Sequence, residues 1–524
     1  MKSKLPKTVG FLLLGVLCVY SFTNQPSRTA IDSIRPDDVR RHIDFIASDS
    51  LKGRNTPSEG LDIAADYLAE QFEAFGLKPL KASYSQEFDL NRVRLGEQNA
   101  FKLSMPDGSE KRFRIRREFM PFEYTANKVV EAELTFVGYG ISASEFRYDD
   151  YGDIDVSGKI VVILKHEPGE KDPESPFEGV KNSTYGQMNT KVELAIERGA
   201  AGMIVVNDPF NHRSLRPRGF PWPSLYRKIP NAAIPYTLSI TEGEKIPVIH
   251  AGKSFIRAVF GSVDSLEAIQ KRIDANLQPN SFNLENFTAS IQTSTEVESE
   301  ATQNVVAIWE GSDPELKKQA IVIGAHYDHV GYKKDEVKPG EDYIFNGADD
   351  NASGTVGLLE VAEAFSLAGH PKRSVIFIAF AGEEKGLFGS RYYVAKPLWP
   401  LSKTKAMVNM DMIGRNEGDR VSIIGYSHSP ELNQINTEEN KYVGLDLRYD
   451  GEQYFRRSDQ FSFARKGIPV LFYNTGTHAD YHQVSDNPDK INEGKIAMIC
   501  RLVFRTAWRA ANTSEELTYV EPIR

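Results

Sequence analysis

Two spacings of apolar residues divide this chain. Near its start they recur every three or four positions. Val39, Ile43 and Ile46 share one helical face behind Asp37 and Asp38, and Leu61, Ala64, Ala65, Leu68, Phe72 and Phe75 form a second stripe. The second stretch, TPSEGLDIAADYLAEQFEAFGLKP, also carries boundary signals: Thr56 as cap, Pro57 at the first helical position, Glu59 three residues after the cap, and Gly76 at the stop. From about residue 130 the pattern shifts to short strands with glycine-rich turns, AELTFVGYGI, GKIVVILKHEPG, MIVVND and IPVIHAG, with one helical piece, LAIERGAAG. Between the last two strands, a segment dense in Pro, Arg and aromatics predicts an extended surface loop, whose Trp222 and Tyr226 are candidates to wall a cleft. His212 and His250 are isolated histidines, read as structural, and no metal-ligand spacing or nucleophile motif is evident there.

After Asn304 strand and helix alternate. NVVAIWE, AIVIGAH, SVIFIAF, AMVNMDM and IPVLFYN are apolar runs of strand length. Between or after them lie SGTVGLLEVAEAFSLAG, GLFGSRYYVAK, SDQFSFARKG and a terminal helix from about Asn492 to Ala511. Near-continuous apolar strands interleaved with helices predict an α/β fold, a mostly parallel mixed sheet covered on both faces. Ligands of such sheets bind beyond the carboxyl ends of the strands.

Those ends hold the polar residues that need explaining. AIVIGAH leads into His326, Asp328 and His329. Asp349 and Asp350 stand just before a helix, Glu383 and Glu384 follow SVIFIAF, and Asp411 ends AMVNM. His478, His482 and Asp486 follow IPVLFYN. Imidazole and carboxylate without thiolate suit zinc, manganese or cobalt. So many carboxylates suit two cations sharing a bridging carboxylate better than one. In the His-x-Asp pair, the Asp can fix the tautomer of a ligating imidazole. Of two adjacent glutamates, one can ligate while its neighbour faces a bound water as general base.

Composition narrows the class. The 524 residues exceed one ordinary core, so two domains are expected. A net charge of −9 gives no nucleic-acid footprint, and two cysteines, Cys18 and Cys500, build no disulfide framework. Lys2, Lys4 and Lys7 precede an apolar stretch from Val9 to about Phe22, the layout of a secretory signal peptide at 1–22 with cleavage near Ser21. The alternatives are an uncleaved anchor and a lipoprotein at Cys18, the latter disfavoured by Leu17. No other segment is long and apolar enough to span a membrane.

In this order, HxD, GADDNASG, GEEKGLFGS, NMDMIG and YHxxxD resemble the co-catalytic di-zinc exopeptidases of metallopeptidase family twenty-eight, which include secreted leucyl aminopeptidases, aminopeptidase Y and glutamate carboxypeptidase II. LKGRNTPSEGLDIAADYLAEQFEAFGLKP is similar to the family's N-terminal helix, and the middle segment to the β-rich protease-associated domain inserted in some members. The resemblance implies peptidase residues at 30–128 and 291–515 around a protease-associated domain at 129–290. It implies two Zn2+ (or Mn2+ or Co2+), one on His326, Asp350 and Asp411, the other on Asp350, Glu384 and His482. Asp350 is taken as the bridge, in preference to Asp349, because it stands three residues before Ser353. Asp328 supports His326, Glu383 is the general base, and Tyr481 steadies an oxyanion. Asp486 is expected to support His482, and His478 to be structural.

The activity implied is a secreted or periplasmic aminopeptidase acting on peptides. A carboxypeptidase or dipeptidase of the same fold is the alternative, with Arg391, Arg415, Arg456 or Arg457 to hold an α-carboxylate. A one-zinc glutaminyl cyclase is a further alternative. A receptor that has lost its ligands would show broken motifs, and these are intact.

Overall fold

The computed structural model describes residues 26–521 apart from 178, 180–182, 220–233, 239–243, 334–337 and 417. The N-terminal leader reading and Trp222 and Tyr226 fall outside the described residues. The chain forms two compact units, one comprising residues to Leu90 and from Glu300 onward, the other Asn91–Ser299.

The first helix, α1 (Pro36–Ile46), starts with Pro and carries Asp37 and Asp38 in its first turn, where the macrodipole favours negative charge. The second, α2 (Glu59–Ala74), differs from the sequence reading at its cap. Ser58, not Thr56, occupies that position, its side chain accepting from the Leu61 backbone N–H at 3.2 Å. Thr56 is buried two residues upstream. The apolar stripe is as expected: Leu61, Ala64, Ala65, Leu68 and Phe72 are buried.

The unit formed by Asn91–Ser299 is built on an eight-stranded mixed sheet. Its centre is four parallel neighbours, β1 (Lys128–Val137), β2 (Ile160–Leu164), β3 (Gly202–Val206) and β4 (Val248–Ala251). The long strand β5 (Ser281–Thr293) runs antiparallel to β1, with a register shift between Leu284 and Thr288. Helices Met188–Glu197, Lys253–Phe260 and Val263–Asn276 add cover. Every residue of β2, β3 and β4 is buried, as near-continuous apolar runs require.

The chain returns to the other unit within β6 (Thr295–Trp309), at Glu300, and continues through β7 (Ala320–His326), α3 (Gly354–Ala368), β8 (Ser374–Phe380), β9 (Thr404–Met410), β10 (Arg420–Ile424) and β11 (Val470–Asn474). A terminal helix, α4 (Glu493–Asn512), is capped by Asn492. The four central strands are parallel, in spatial order β8, β7, β9, β11, and flanked by antiparallel β6 and β10. Alternate residues of β8 serve opposite faces. Phe377 packs on Phe72 and Phe365 from α2 and α3, while Ile376, Ile378 and Phe380 join a second cluster with Tyr393 and Phe463. The sheet is therefore mixed, mostly parallel at its centre and covered on both faces. After β7 the chain passes to β8 on one side and later to β9 on the other. That change of direction opens a crevice at the strands' carboxyl ends.

Candidate metal centre

Five strand-end segments converge in that crevice. His326 is the last residue of β7, Asp350 lies in the turn before α3, and Glu383 and Glu384 follow β8. Asp411 follows β9, and His482 lies in the loop after β11. Asp350 sits between two groups, one oxygen toward each. Its Oδ1 is 3.4 Å from His326 Nε2, which is 3.5 Å from Asp411 Oδ1. Its Oδ2 is 3.0 Å from His482 Nε2, which is 3.1 Å from Glu384 Oε2. His329 joins the second group, with Nδ1 2.8 Å from Glu384 Oε1 and 4.0 Å from Asp350 Oδ2. The ligand atoms of each group lie within 4.8 Å of one another.

Neighbouring segments fix these positions. His326 Nδ1 faces the backbone carbonyl of Asp328 at 3.2 Å and its Oδ1 at 3.5 Å, which leaves Nε2 aimed at the two acids. Asp328 Oδ1 also accepts the Glu383 N–H at 3.1 Å, tying the end of β8 to that of β7. Asn351 locks the Asp350 turn to β9: its side chain donates to the Met410 carbonyl at 3.0 Å and accepts from Met412 N–H at 3.0 Å. Gly347 has φ +56°, and a Cβ there would stand 2.2 Å from the Asp350 carbonyl and 2.5 Å from the His329 ring. Only glycine leaves room for the two to meet.

One residue acts differently from the sequence expectation. Asp486 accepts the backbone N–H groups of Asp349 and Asp350, at 3.0 and 3.2 Å through Oδ2, so it holds the Asp350 turn and not the His482 ring. His478 lies beside Asp349, with Nε2 3.2 Å from Oδ2. Asp349 itself accepts the Gly414 N–H at 2.6 Å and belongs to neither group. His329 had no role in the sequence reading. The doubled histidine of HYDH was its only signal. Arg54 was missed too: fully buried, its guanidinium donates to the carbonyls of Tyr327, Asn346 and Gly347, at 2.9, 2.8 and 3.1 Å.

The electrostatics call for positive charge. Burial pushes Glu383 far above the usual carboxylate range, against the pull of His326 and with the push of Glu384 and Asp411. Burial also raises Asp411, partly offset by His326. It opposes ionisation of Asp350, but hydrogen bonds from His326 and His482 outweigh it and hold that carboxyl low. His482, hydrogen-bonded to Asp350 and Glu384, is raised to about 10. The Nε2 atoms of His326 and His482 each face two carboxylates, and His329 reaches Glu384 through Nδ1. Buried nitrogen lone pairs converging on carboxylates, with no thiolate, fit divalent cations of the zinc class.

A cleft of about 440 Å³ opens over the centre, lined by Asp350, Glu383, Glu384, Asp411, Met412, Tyr454, Arg457, Phe472, Asn474, Thr477 and Tyr481. Tyr481 stacks on His482 with ring centroids 4.0 Å apart, and burial together with Asp350 and Glu384 raises its phenol well above the ordinary value. Of the arginines considered for carboxylate binding, Arg415 is engaged by Asp480 at 2.6 Å, and Arg457 lines the cleft.

Comparison with known proteins agrees with the motifs. Residues 304–507 match the model of peptidase family M28, and residues 126–258 match that of the PA domain. The chain is similar to leupeptin-inactivating enzyme 1 of Streptomyces exfoliatus, 34% identical over 212 residues covering 39% of this chain and 42% of that protein. It is similar to a probable leucine aminopeptidase 2 of Aspergillus fumigatus, 26% identical over 268 residues, 45% and 49% of the two chains. The chain spans about half the length of the curated relatives it matches. Among solved structures, an aminopeptidase from Aneurinibacillus sp. strain AM-1 aligns with a TM-score of 0.46 at 21% identity, over 94% of this chain and 98% of that one. Among the described residues no helix is long and apolar enough to cross a membrane.

Proposed function

We propose that the M28 domain is a two-metal aminopeptidase that removes N-terminal residues from peptides. One observation carries this reading: Asp350 turns one carboxylate oxygen to His326 and Asp411 and the other to His482 and Glu384. A shared carboxylate between two imidazole–carboxylate groups is what a pair of close divalent cations requires. On this reading His326, Asp350 and Asp411 hold one ion, and Asp350, Glu384 and His482 the other. Bound there, the pair would supply Lewis acidity, making water nucleophilic near neutral pH and polarising a carbonyl.

The chain's own residues supply the rest. Glu383 lines the cleft without belonging to either ligand group. Burial raises its affinity for a proton, so as the carboxylate it can take a proton from the attacking water and, then protonated, return it to the departing amine. Tyr481, whose phenol keeps its proton, can donate a hydrogen bond to the developing oxyanion. Asp328 acts through His326 by facing its Nδ1. The four cleft carboxylates favour a substrate's free ammonium end, and Met412, Tyr454 and Phe472 suit an apolar side chain, in keeping with relatives named leucine aminopeptidases. A carboxypeptidase would use Arg457, one cation facing four acids. The N-terminal Lys2, Lys4 and Lys7 before an apolar stretch support export to the periplasm or exterior.

The test is metal analysis with a panel of aminoacyl-p-nitroanilides and matched N-acetylated and C-amidated peptides. About two zinc equivalents in the catalytic cluster and cleavage only of substrates with a free amine are expected. Cleavage of C-terminal residues from N-blocked peptides would overturn the aminopeptidase assignment. A single equivalent with cyclisation of N-terminal glutamine would overturn the peptidase assignment itself.

A further inference from the structure

A second group of metal-type donors lies in the unit formed by Asn91–Ser299. β2 and β3 are parallel neighbours, with Leu164 opposite Val206 at their carboxyl ends. Each runs into a short turn carrying a donor pair at the same spacing, His166 and Glu170 after β2, Asp208 and His212 after β3. The second turn is closed by a backbone bond from His212 N–H to the Asp208 carbonyl at 3.0 Å, which brings its two side chains to one side. The four side chains converge, with one ligand atom from each within 4.8 Å of the others.

Asp208 is at the centre. Its side chain is fully buried, and its Oδ2 touches His166 Nδ1 and lies 3.6 Å from His212 Nε2. His212 Nε2 is also 2.8 Å from Glu170 Oε2. The two imidazoles stack with centroids 4.0 Å apart and 22° between planes, His166 facing Asp208 and His212 facing both Asp208 and Glu170. Among the described residues, the ion-pair partners of Asp208 and Glu170 are these imidazoles alone. The buried ammonium nearby, Lys191, does not pair with them: it donates to the carbonyls of Tyr139, Leu164, Lys165 and His166. Lys171 donates to the Asn211 carbonyl.

We propose that His166, Glu170, Asp208 and His212 form a structural site for a divalent cation of the zinc class. Two imidazoles and two carboxylates without thiolate are the donor set of a borderline cation. Around a tetrahedral ion with bonds of about 2.0–2.1 Å, neighbouring ligand atoms stand roughly 3.4 Å apart, a spacing the four donor atoms, already within 4.8 Å of one another, reach when the stacked rings turn their nitrogens to the ion. The site joins the turn after β2 to the turn after β3, at the carboxyl ends of two central strands. It shares no residue with the centre around Asp350.

The experiment uses the full chain, freed of any histidine tag and equilibrated with zinc buffered at nanomolar free concentration. Wild type, His212→Ala and Glu170→Gln are compared by elemental analysis, with circular dichroism as the check on folding. Each variant should hold about one zinc equivalent fewer than wild type. The reciprocal double variant His326→Ala, His482→Ala should keep that equivalent and lose it when His212→Ala is added. Zinc content unchanged from wild type in folded His212→Ala or Glu170→Gln overturns the site and leaves two imidazole–carboxylate hydrogen bonds. Because the readout is a difference, it stands whatever number of ions the Asp350 centre holds.

Discussion

His329 Nδ1 stands 2.8 Å from Glu384 Oε1, while the other oxygen of the same carboxylate lies 3.1 Å from His482 Nε2. One oxygen of Glu384 is thus pinned by His329 while the other faces His482, and removing an outer contact of this kind from a metal-ligating carboxylate typically changes metal affinity by about 10–100-fold. His329→Ala should therefore weaken retention of one zinc equivalent by about that factor and leave the other unchanged. Chelator competition with a colorimetric zinc indicator checks this. His329→Gln, which keeps a donor, should recover part of the loss.

Glu383 and Glu384 are adjacent yet differ in what they touch. Glu384 contacts His329 and His482, whereas Glu383 faces the cleft. Glu383→Gln should keep wild-type metal content and lower kcat by about 10²–10⁴-fold, the usual contribution of a positioned general base. Steady-state kinetics with matched metal analysis distinguishes this from a ligand role, for which metal content would fall with activity.

The strands, the helical stripes and the five strand-end motifs were legible because each is local. An apolar run, a period or a short spacing suffices to find them. What stayed hidden depended on distant contacts. Asp486 was expected beside His482, four residues away, but its oxygens accept the N–H groups of Asp349 and Asp350, more than a hundred residues upstream. The strand Ser281–Thr293 escaped notice because many of its positions are half-exposed and polar. The cap of α2 went to Ser58 over Thr56 because both are competent caps, and only the packed position of Thr56 decides. His212 looked isolated because its partner His166 lies on the neighbouring strand end.

Arg54 is the clearest case of an interaction invisible to spacing. Its guanidinium reaches carbonyls at Tyr327 and at Asn346 and Gly347, bracing the two segments that present His326 and Asp350. Burial lowers it to about 10, with Asp328 and Asp486 opposing. Arg54→Lys keeps a positive charge but loses the planar fork, leaving buried carbonyls unpaired at about 1–3 kcal/mol each. Its thermal midpoint should fall by several degrees and its zinc affinity should drop together with it. An unaltered zinc affinity in the folded variant would confine Arg54 to stability.

Glu360 supplies a pH dependence separate from the metal centre. It lies within α3, buried, with Oε2 accepting only the Arg35 backbone N–H at 3.3 Å and Oε1 unpaired. Burial, reinforced by Asp38 and Glu363, raises it from 4.5 to about 8. The folded chain therefore holds a proton that the unfolded chain releases between these values. Stability falls as pH rises through that window, and the loss is complete above about pH 8. Glu360→Gln cannot ionise, so its urea-unfolding midpoint should stay flatter, near wild type at pH 5 and above it at pH 8. At about 1.4 kcal/mol per pH unit, the gap at pH 8 should reach about 2–4 kcal/mol. Parallel midpoint curves for the two proteins from pH 5 to 8 would show that Glu360 ionises alike in both states, by drawing water or a cation to its unpaired oxygen.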